Sequence, residues 1–562
     1  MAKRYIYNKE GAPADLKAKL RNISPVCVDI LYKRGIQTEQ EIHDFLFPNP
    51  QLLTDSCEFK DADKACTRIR DAIRNNEEIV VYHDYDVDGM CAGAIVCEVV
   101  TKLSGKVYPY VNSRSTGYGI CQHGLEDIRA KYPKVKLIVT VDNGIVANDA
   151  VEVAKTMGFD VVVTDHHEPG DTLPDCCAVV DAKREDEIYP YRHFCGAGLA
   201  FKLMILLCRM MGRDVNIAMD TLDLATLATV ADIVPLTGEN RLLVKRGIEC
   251  IKSNHRPFFA EAMEQCGIKQ VTAHNTISFT YAPMLNALSR MDKDPLLGTQ
   301  ALLATTREEV RGMVEEMRQV NEERKTETQE EYLICAQMLQ DEPVGSGIVV
   351  YHESLQEGIV GIVAGRLKED YNRPAIVFSM DEDGNLRGSA RSIPEAPMID
   401  ILRELSGTGL ILQCGGHKLA AGLTIREADF DSFKAAFLKI TDRYLKGKNL
   451  EATEVIDYAL DEGDLSVELV QDIRMLEPYG EGWRQPLFGL RFEPDDVMYM
   501  GKEKNHAKYT KKGSSLCVIK WGGTEEAQQR AIPWKRSKFV GYPDLNQFRD
   551  TVTVQFVEQQ RG

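Results

Sequence analysis

Short, unbroken apolar runs separated by helix-length stretches set the pattern of this chain from about residue 60. IVVY at 79 to 82, LIVTV at 137 to 141, VVVT at 161 to 164 and AVV at 178 to 180 have the length of strands. The stretch from Cys91 to Leu103 and the segment VANDAVEVAKTMG have helical spacing. Runs apolar on both faces, alternating with helices, are what a parallel sheet covered on both sides requires. The pattern predicts an α/β domain over about 56–300, with AGLAFKLMILLCRMM and TLDLATLATVAD as two further buried helices, the second ending at Asp232.

Around this domain the pattern changes. Residues 1–55 carry apolar residues at helical spacing in PVCVDILYKRGI and EQEIHDFLF and read as an accessory helical segment. Over 301–340 the mixed charges of TREEVRGMVEEMRQVNEERKTETQEEYLICAQML, without proline or late glycine, predict one long exposed connecting helix. A second, smaller α/β unit follows over 341–447, with IVVY at 348 to 351, the helix EGIVGIVAGRL and AIVFSM at 375 to 380. Residues 448–562 hold all three tryptophans and read as a small β-barrel.

Composition changes this picture little. No apolar run approaches the roughly 18 residues of a membrane span, and MAKRYIYNKEGAP turns polar before a secretory signal could form, so a cytoplasmic protein without membrane attachment is expected. The 15 cysteines show no paired Cys-x-x-Cys spacing and read as reduced thiols. A net charge of −17 means that any nucleic-acid binding must use a confined basic path.

The acids fall where a parallel sheet collects its ligands, at the carboxyl ends of strands. After IVVY comes HDYDVDG with Asp84, Asp86 and Asp88; after LIVTV comes Asp142 in VDNG; after VVVT come Asp165, His166 and His167. Hard carboxylates with one or two imidazoles suit Mn²⁺ or Mg²⁺. Asp-x-Asp-x-Asp-Gly also opens a calcium loop, but the twelfth position from Asp84 is Ile95 instead of glutamate, and the preceding segment is a strand. An Asp-rich turn that merely caps a helix, or histidines held within the core, are the plainer explanations of each motif alone. Four acidic strand and helix ends together favour two divalent ions that bind one phosphate between them.

Two further regions carry candidate phosphate contacts. GSARS offers Ser389 and Arg391, and CGGHKLAAG offers His417 on a glycine turn. The glycines of GIVGIVAGRL read as helix-packing positions. In the barrel, GKEKNHAKYTKKG gathers Lys502, Lys504, Lys508, Lys511 and Lys512 around Tyr509, a basic hairpin with an aromatic able to hold a single strand, or simply a solvated loop.

In this order the motifs resemble the RecJ exonucleases of the DHH phosphoesterase superfamily. The set runs through RGIQTEQEIHDFLFP, DYDVDG, VDNG, TDHH, CGAGLAFKL, ATVADIVPL, NALSR, GIVGIVAGRL, GSARSI, GGHKLAAGLT and LEPYGEGWRQPLF, nearly the whole chain. The resemblance implies a DHH domain, a DHH-associated domain and an OB-fold barrel, and 5′ to 3′ degradation of single-stranded DNA to mononucleotides in recombination and repair. It implies two ions, Mn²⁺ or Mg²⁺, on Asp86, Asp88, Asp142, His166 and Asp232, with Asp84, Asp165 and His167 in support. Ser389 and Arg391 would hold the terminal phosphate with Arg114 and Arg290, and His417 would sit near the scissile phosphate. A monomer assisted by a helicase and a single-strand-binding protein is expected. Four positions depart from the family pattern: Leu355-Gln356 where Trp-His is usual, His83 for a glycine, and Met284 for a basic residue that could touch DNA. Two other readings stay open, a phosphodiesterase of short or cyclic oligonucleotides and an inactive single-strand-binding scaffold.

Overall fold

The computed structural model describes residues 4–49, 54–113, 117–253, 256–340, 344–451, 453–501, 504–522, 538–548 and 551–558. They divide into two units, Asn49–Glu330 with Pro478–Arg484, and Met1–Pro48 with Glu331–Glu477 and Gln485–Gly562. Among the described residues no helix is long and apolar enough to cross a membrane.

The first of these units is built on a five-stranded, all-parallel sheet. Its strands lie in the order Lys106–Tyr110, Glu78–His83, Val135–Val141, Asp160–Asp165, Ala178–Asp181. Alternation along the strands sends Ile79, Val81, Leu137 and Val139 into one core and Val80, Tyr82 and Ile138 into another. Burial on both faces is why these strands read as unbroken apolar runs. The helices Val87–Lys102, Gly196–Met210 and Leu222–Ala231 are apolar nearly all round and sit in the larger core. Chain order reverses between Glu78–His83 and Val135–Val141, the switch point at which open parallel sheets bind ligands. Asp84 and Asp142 follow those two strands directly.

The helix Arg307–Met338 is the long helix of the sequence pattern, but it is not exposed throughout. Val310, Val314 and Met317, spaced at one helical face, are buried in the core of the first unit. The division between the units falls within this helix, between Glu330 and Glu331.

In the other unit a five-stranded mixed sheet runs in the order Gln413–Gly416, Ala420–Arg426, Asn385–Arg391, Ala375–Met380, Ile348–Tyr351, with only the last pair parallel. Phe433 and Phe437 of the helix Phe430–Leu445 join its core. The N-terminal residues form the helices Ala14–Lys19, Pro25–Lys33 and Glu39–Leu46, the last opened by a Thr38–Glu41 capping box. They begin with a strand absent from the helical reading: Arg4–Tyr7 pairs parallel with Thr453–Ile456. Four residues with three exposed carry no period that marks a strand without its partner. The C-terminal residues form a seven-stranded sheet, from Tyr458–Asp461 at one edge to Asp496–Met500 at the other.

Candidate metal centre

Local backbone chemistry fixes each acid. Asp86 caps the helix Val87–Lys102, its carboxylate accepting the N–H groups of Asp88 at 2.9 Å and Gly89 at 3.2 Å. A Cβ at Gly89 would lie 2.3 Å from the carbonyl oxygen of Asp84, so the turn admits only glycine there. Asp88 reaches back to the start of Gly196–Met210 and accepts the N–H of Gly196 at 2.6 Å and of Ala197 at 2.7 Å. Asp142 occupies the left-handed region at φ +62. Asp165 accepts the N–H groups of Ile145 and His166 at 3.0 and 2.7 Å, and the Nδ1–H of His167 at 2.7 Å. Asp232 ends the helix Leu222–Ala231, followed by Ile233 at φ +58.

These elements bring the predicted ligands together. His166 Nε2 lies 3.0 Å from Asp142 Oδ1, 3.5 Å from Asp88 Oδ2 and 3.7 Å from Asp232 Oδ2. Among the described residues, three groups have donor atoms that lie within 4.8 Å of one another: Asp84, Asp86 and Asp142; Asp88, His166 and Asp232; and Asp142, His166 and His167.

The electrostatics call for a cation. Burial, then repulsion from neighbouring carboxylates, raises the pKa of Asp84, Asp142 and Asp232, the last to about 9. Burial also raises Asp88, against the opposing charge of His166. Asp84 Oδ1 and Asp142 Oδ1 are buried without a hydrogen-bond partner, and the 3.0 Å approach of His166 to Asp142 lacks hydrogen-bond geometry. Lone pairs so arranged are costly unless a cation lies between them. Burial lowers His166, leaving a neutral ring with a free lone pair. Burial works the same way on His167, but its bond to Asp165 outweighs that and lifts it to about 9. The oxygen-rich set with one or two imidazoles fits Mn²⁺ or Mg²⁺.

A cavity of about 220 Å³ opens on the carboxylates. Arg290 lines it; Tyr85, Tyr118, Asn286 and Ser289 line it as well and are not singled out by the sequence. Asn286, Ser289 and Arg290 share one face of Ala282–Arg290, while Met284, Leu285 and Leu288 face the core. Met284 itself is 1% exposed and packs in the core. His83 is also buried, donating Nδ1–H to the Asp84 carbonyl at 2.7 Å and accepting from Thr299 at 3.0 Å. Gly93 makes room for it, since a Cβ there would meet the ring at 2.6 Å. Leu355 is buried, and Gln356 donates its N–H to Glu331 at 3.0 Å.

In the second unit Ser389 and Arg391 alternate on one strand and share a face, Arg391 donating to Ser389 Oγ at 3.2 Å. A Cβ at Gly361 would come within 2.9 Å of that hydroxyl and 3.4 Å of the guanidinium. Gly361 thus lets the helix Glu357–Tyr371 pack closely on this pair, as the packing reading expects, whereas Gly365 faces open space and is not a packing position. His417 is exposed in the turn between Gln413–Gly416 and Ala420–Arg426. Arg114 and Lys502 lie outside the described residues.

The basic hairpin needs one correction. Tyr509 is 4% exposed and packs on Phe539, 5.2 Å between ring centres. Strand alternation turns Tyr509 inward while its neighbour Lys508 turns outward. Lys508 pairs across the sheet with exposed Met498, and Trp521, 43% exposed, meets the His506 ring at 5.0 Å. Lys511 is engaged by Glu462 at 2.7 Å, whereas Lys504 and Lys512 are exposed.

Comparison with known proteins fits this architecture. Residues 78–229 match the DHH family, N-terminal domain; 345–446 match the DHHA1 domain; and 456–559 match the RecJ OB domain. The single-stranded-DNA-specific exonuclease RecJ of Bacillus subtilis is 32% identical over 536 residues, 94% of this chain and 67% of that one. The Escherichia coli protein of the same name is 33% identical over 503 residues, 85% of each chain. The crystal structure of RecJ in complex with Mn²⁺ from Thermus thermophilus superposes with a TM-score of 0.82 at 26% identity, covering 99% of this chain and 79% of that one. The chain belongs to the RecJ family of single-stranded-DNA-specific exonucleases.

Proposed function

We infer that this protein is a metal-dependent exonuclease that degrades single-stranded DNA from the 5′ end to mononucleotides, in recombination and repair. The observation that carries the reading is the convergence of Asp84, Asp86, Asp88, Asp142, His166 and Asp232 on one small cluster with unpartnered buried oxygens. Likeness over most of the chain, including the barrel, does not favour a short-oligonucleotide phosphodiesterase, and the full set of acids does not favour an inactive scaffold.

Asp86, Asp88, Asp142, His166 and Asp232 are the proposed ligands. Two divalent ions bound there supply a water of lowered pKa and charge neutralisation at the scissile phosphate. The residues of this chain do the rest. Asp84 adds a carboxylate beside Asp86 and Asp142. Asp165 orients His167 through Nδ1, which leaves Nε2 of a cationic ring to steady or protonate a leaving oxygen. Arg290 offers a guanidinium at the cavity. Ser389 and Arg391 form a hydroxyl–guanidinium pair suited to a terminal phosphate, with Arg114 proposed alongside, and His417 stands exposed as a phosphate donor. In the barrel, Lys504, Lys508 and Lys512 supply positive charge and Trp521 takes the stacking part first given to Tyr509. A cytoplasmic monomer working with a helicase and a single-strand-binding protein completes the proposal.

End-labelled single-stranded DNA of both polarities, with and without Mn²⁺, tests it. Mn²⁺-dependent release of the 5′ label as mononucleotide, lost in Asp142→Ala and His166→Ala, supports the assignment. Full activity in either variant, or cleavage of dinucleotides alone, rejects it.

A further inference from the structure

Asn143, next to Asp142, takes no part in the chemistry above, yet its side chain is fully buried and bonded to two separate segments as well as to its own strand end. Its Nδ2 donates to the carbonyls of Tyr82 and Val141, both at 3.0 Å, and its Oδ1 accepts the N–H of Ile120 at 3.1 Å. Tyr82 lies two residues before Asp84, and Val141 immediately precedes Asp142. Ile120 closes the loop that carries Tyr118.

The loop side is shaped to receive this amide. Gly119, at φ +62, comes so close that a Cβ would lie 3.1 Å from the Asn143 Cβ. Asn112, also buried, donates Nδ2 to the Gly119 carbonyl at 2.9 Å and to Cys121 Sγ at 3.3 Å. Between these anchors Tyr118 is half exposed, its hydroxyl 3.4 Å from the Asp142 carbonyl and 3.5 Å from His167 Nε2, and it lines the cavity. Only a neutral carboxamide offers two N–H groups and an acceptor at one buried point. An aspartate would set its charge against two carbonyls, and an apolar residue would strand three backbone groups.

We propose that Asn143 is a positioning residue that locks the Tyr118 loop to the strand ends bearing Asp84 and Asp142, so that cation loading and loop ordering are one coupled event. The proposal rests on reading the carboxylate cluster as a metal centre. It makes the rim that meets substrate an extension of the cation site.

Hydrogen exchange of residues 117–121 in the full chain, with and without Mn²⁺, and calorimetric Mn²⁺ affinity provide the test. Mn²⁺ is expected to slow exchange there by about tenfold in the parent. Asn143→Ser should remove that slowing and weaken Mn²⁺ by about tenfold, the scale of losing a partner that orients metal ligands. Should Asn143→Ser fail to fold, Gly119→Ala, which presses a methyl on Asn143 from the loop side, is expected to loosen the loop and weaken Mn²⁺ in parallel. Mn²⁺ binding to the parent with no change at 117–121, or a folded variant with a loosened loop and unaltered Mn²⁺ affinity, overturns the coupling. Absence of Mn²⁺ binding in the parent rejects the metal-centre reading itself, and the coupling with it.

Discussion

Gly196 lies so close to Asp142 that a Cβ on it would stand 2.6 Å from the Asp142 Cβ and 2.9 Å from Oδ1. The same residue gives its N–H to Asp88 at 2.6 Å, so one glycine sets the spacing of two proposed ligands, one in the helix Val87–Lys102 and one just after the strand Val135–Val141. Gly196→Ala must push either Asp142 or the start of the helix Gly196–Met210 aside. We expect Mn²⁺ affinity, read by calorimetry, to fall by about tenfold or more with helix content unchanged. Affinity equal to the parent's would show that the two acids need not be held at this distance.

Asp181 tests the pH dependence away from the proposed ligands. It is fully buried; burial raises its carboxyl to about 7, one oxygen accepts the Lys183 N–H at 2.6 Å and the other has no partner. A carboxyl raised in the folded state contributes its stability below the unfolded value near 3.8, and that contribution is lost as pH rises through about 7. Asp181→Asn removes the ionisation and retains an acceptor. The Tm of the variant relative to the parent should rise by a few degrees between pH 5 and pH 8.5. A constant difference across that range, or a parent more stable at the higher pH, contradicts the assignment.

Arg34 grips Asp457 with Nε on Oδ1 at 3.0 Å and Nη2 on Oδ2 at 2.9 Å, while Asp457 Oδ2 also accepts the Leu487 N–H at 2.8 Å. Arg34→Ala leaves a buried carboxylate without its cation, a loss of about 3 kcal/mol. Limited proteolysis should then cut within residues 1–48 faster than in the parent. Unchanged protection would show that the parallel strand pair Arg4–Tyr7 with Thr453–Ile456 holds the N-terminal segment unaided.

Trp521 and Tyr509 separate the two aromatic assignments in the C-terminal sheet. With chelator present, Trp521→Ala should weaken single-stranded DNA binding by about 1–3 kcal/mol, one stacked base, with Tm unchanged. Tyr509→Ala should instead destabilise the sheet by about 3 kcal/mol through the cavity left against Phe539. Fluorescence anisotropy and thermal unfolding give both numbers, and the reverse pattern would restore Tyr509 as the stacking residue.

The acids of the first unit were legible because each follows an apolar run at once, and a parallel sheet leaves its strand ends only one place to converge. Asp84, Asp142 and Asp165 needed no knowledge of side-chain direction. What failed needed a phase. Tyr509 and Lys508 are adjacent, and which of them faces outward depends on which face of the sheet is covered. The buried amide of Asn143 bonds to backbone at Ile120 and Tyr82, distant in sequence, which leaves no periodic trace. The strand Arg4–Tyr7 has its partner at the other end of the chain.

The most direct measurement is anomalous diffraction from a crystal grown with Mn²⁺. Two peaks about 4 Å apart are expected, one beside Asp84, Asp86 and Asp142 and the other beside Asp88, His166 and Asp232. No peak within ligand distance of these residues, at a Mn²⁺ concentration that supports cleavage, would contradict the proposed centre.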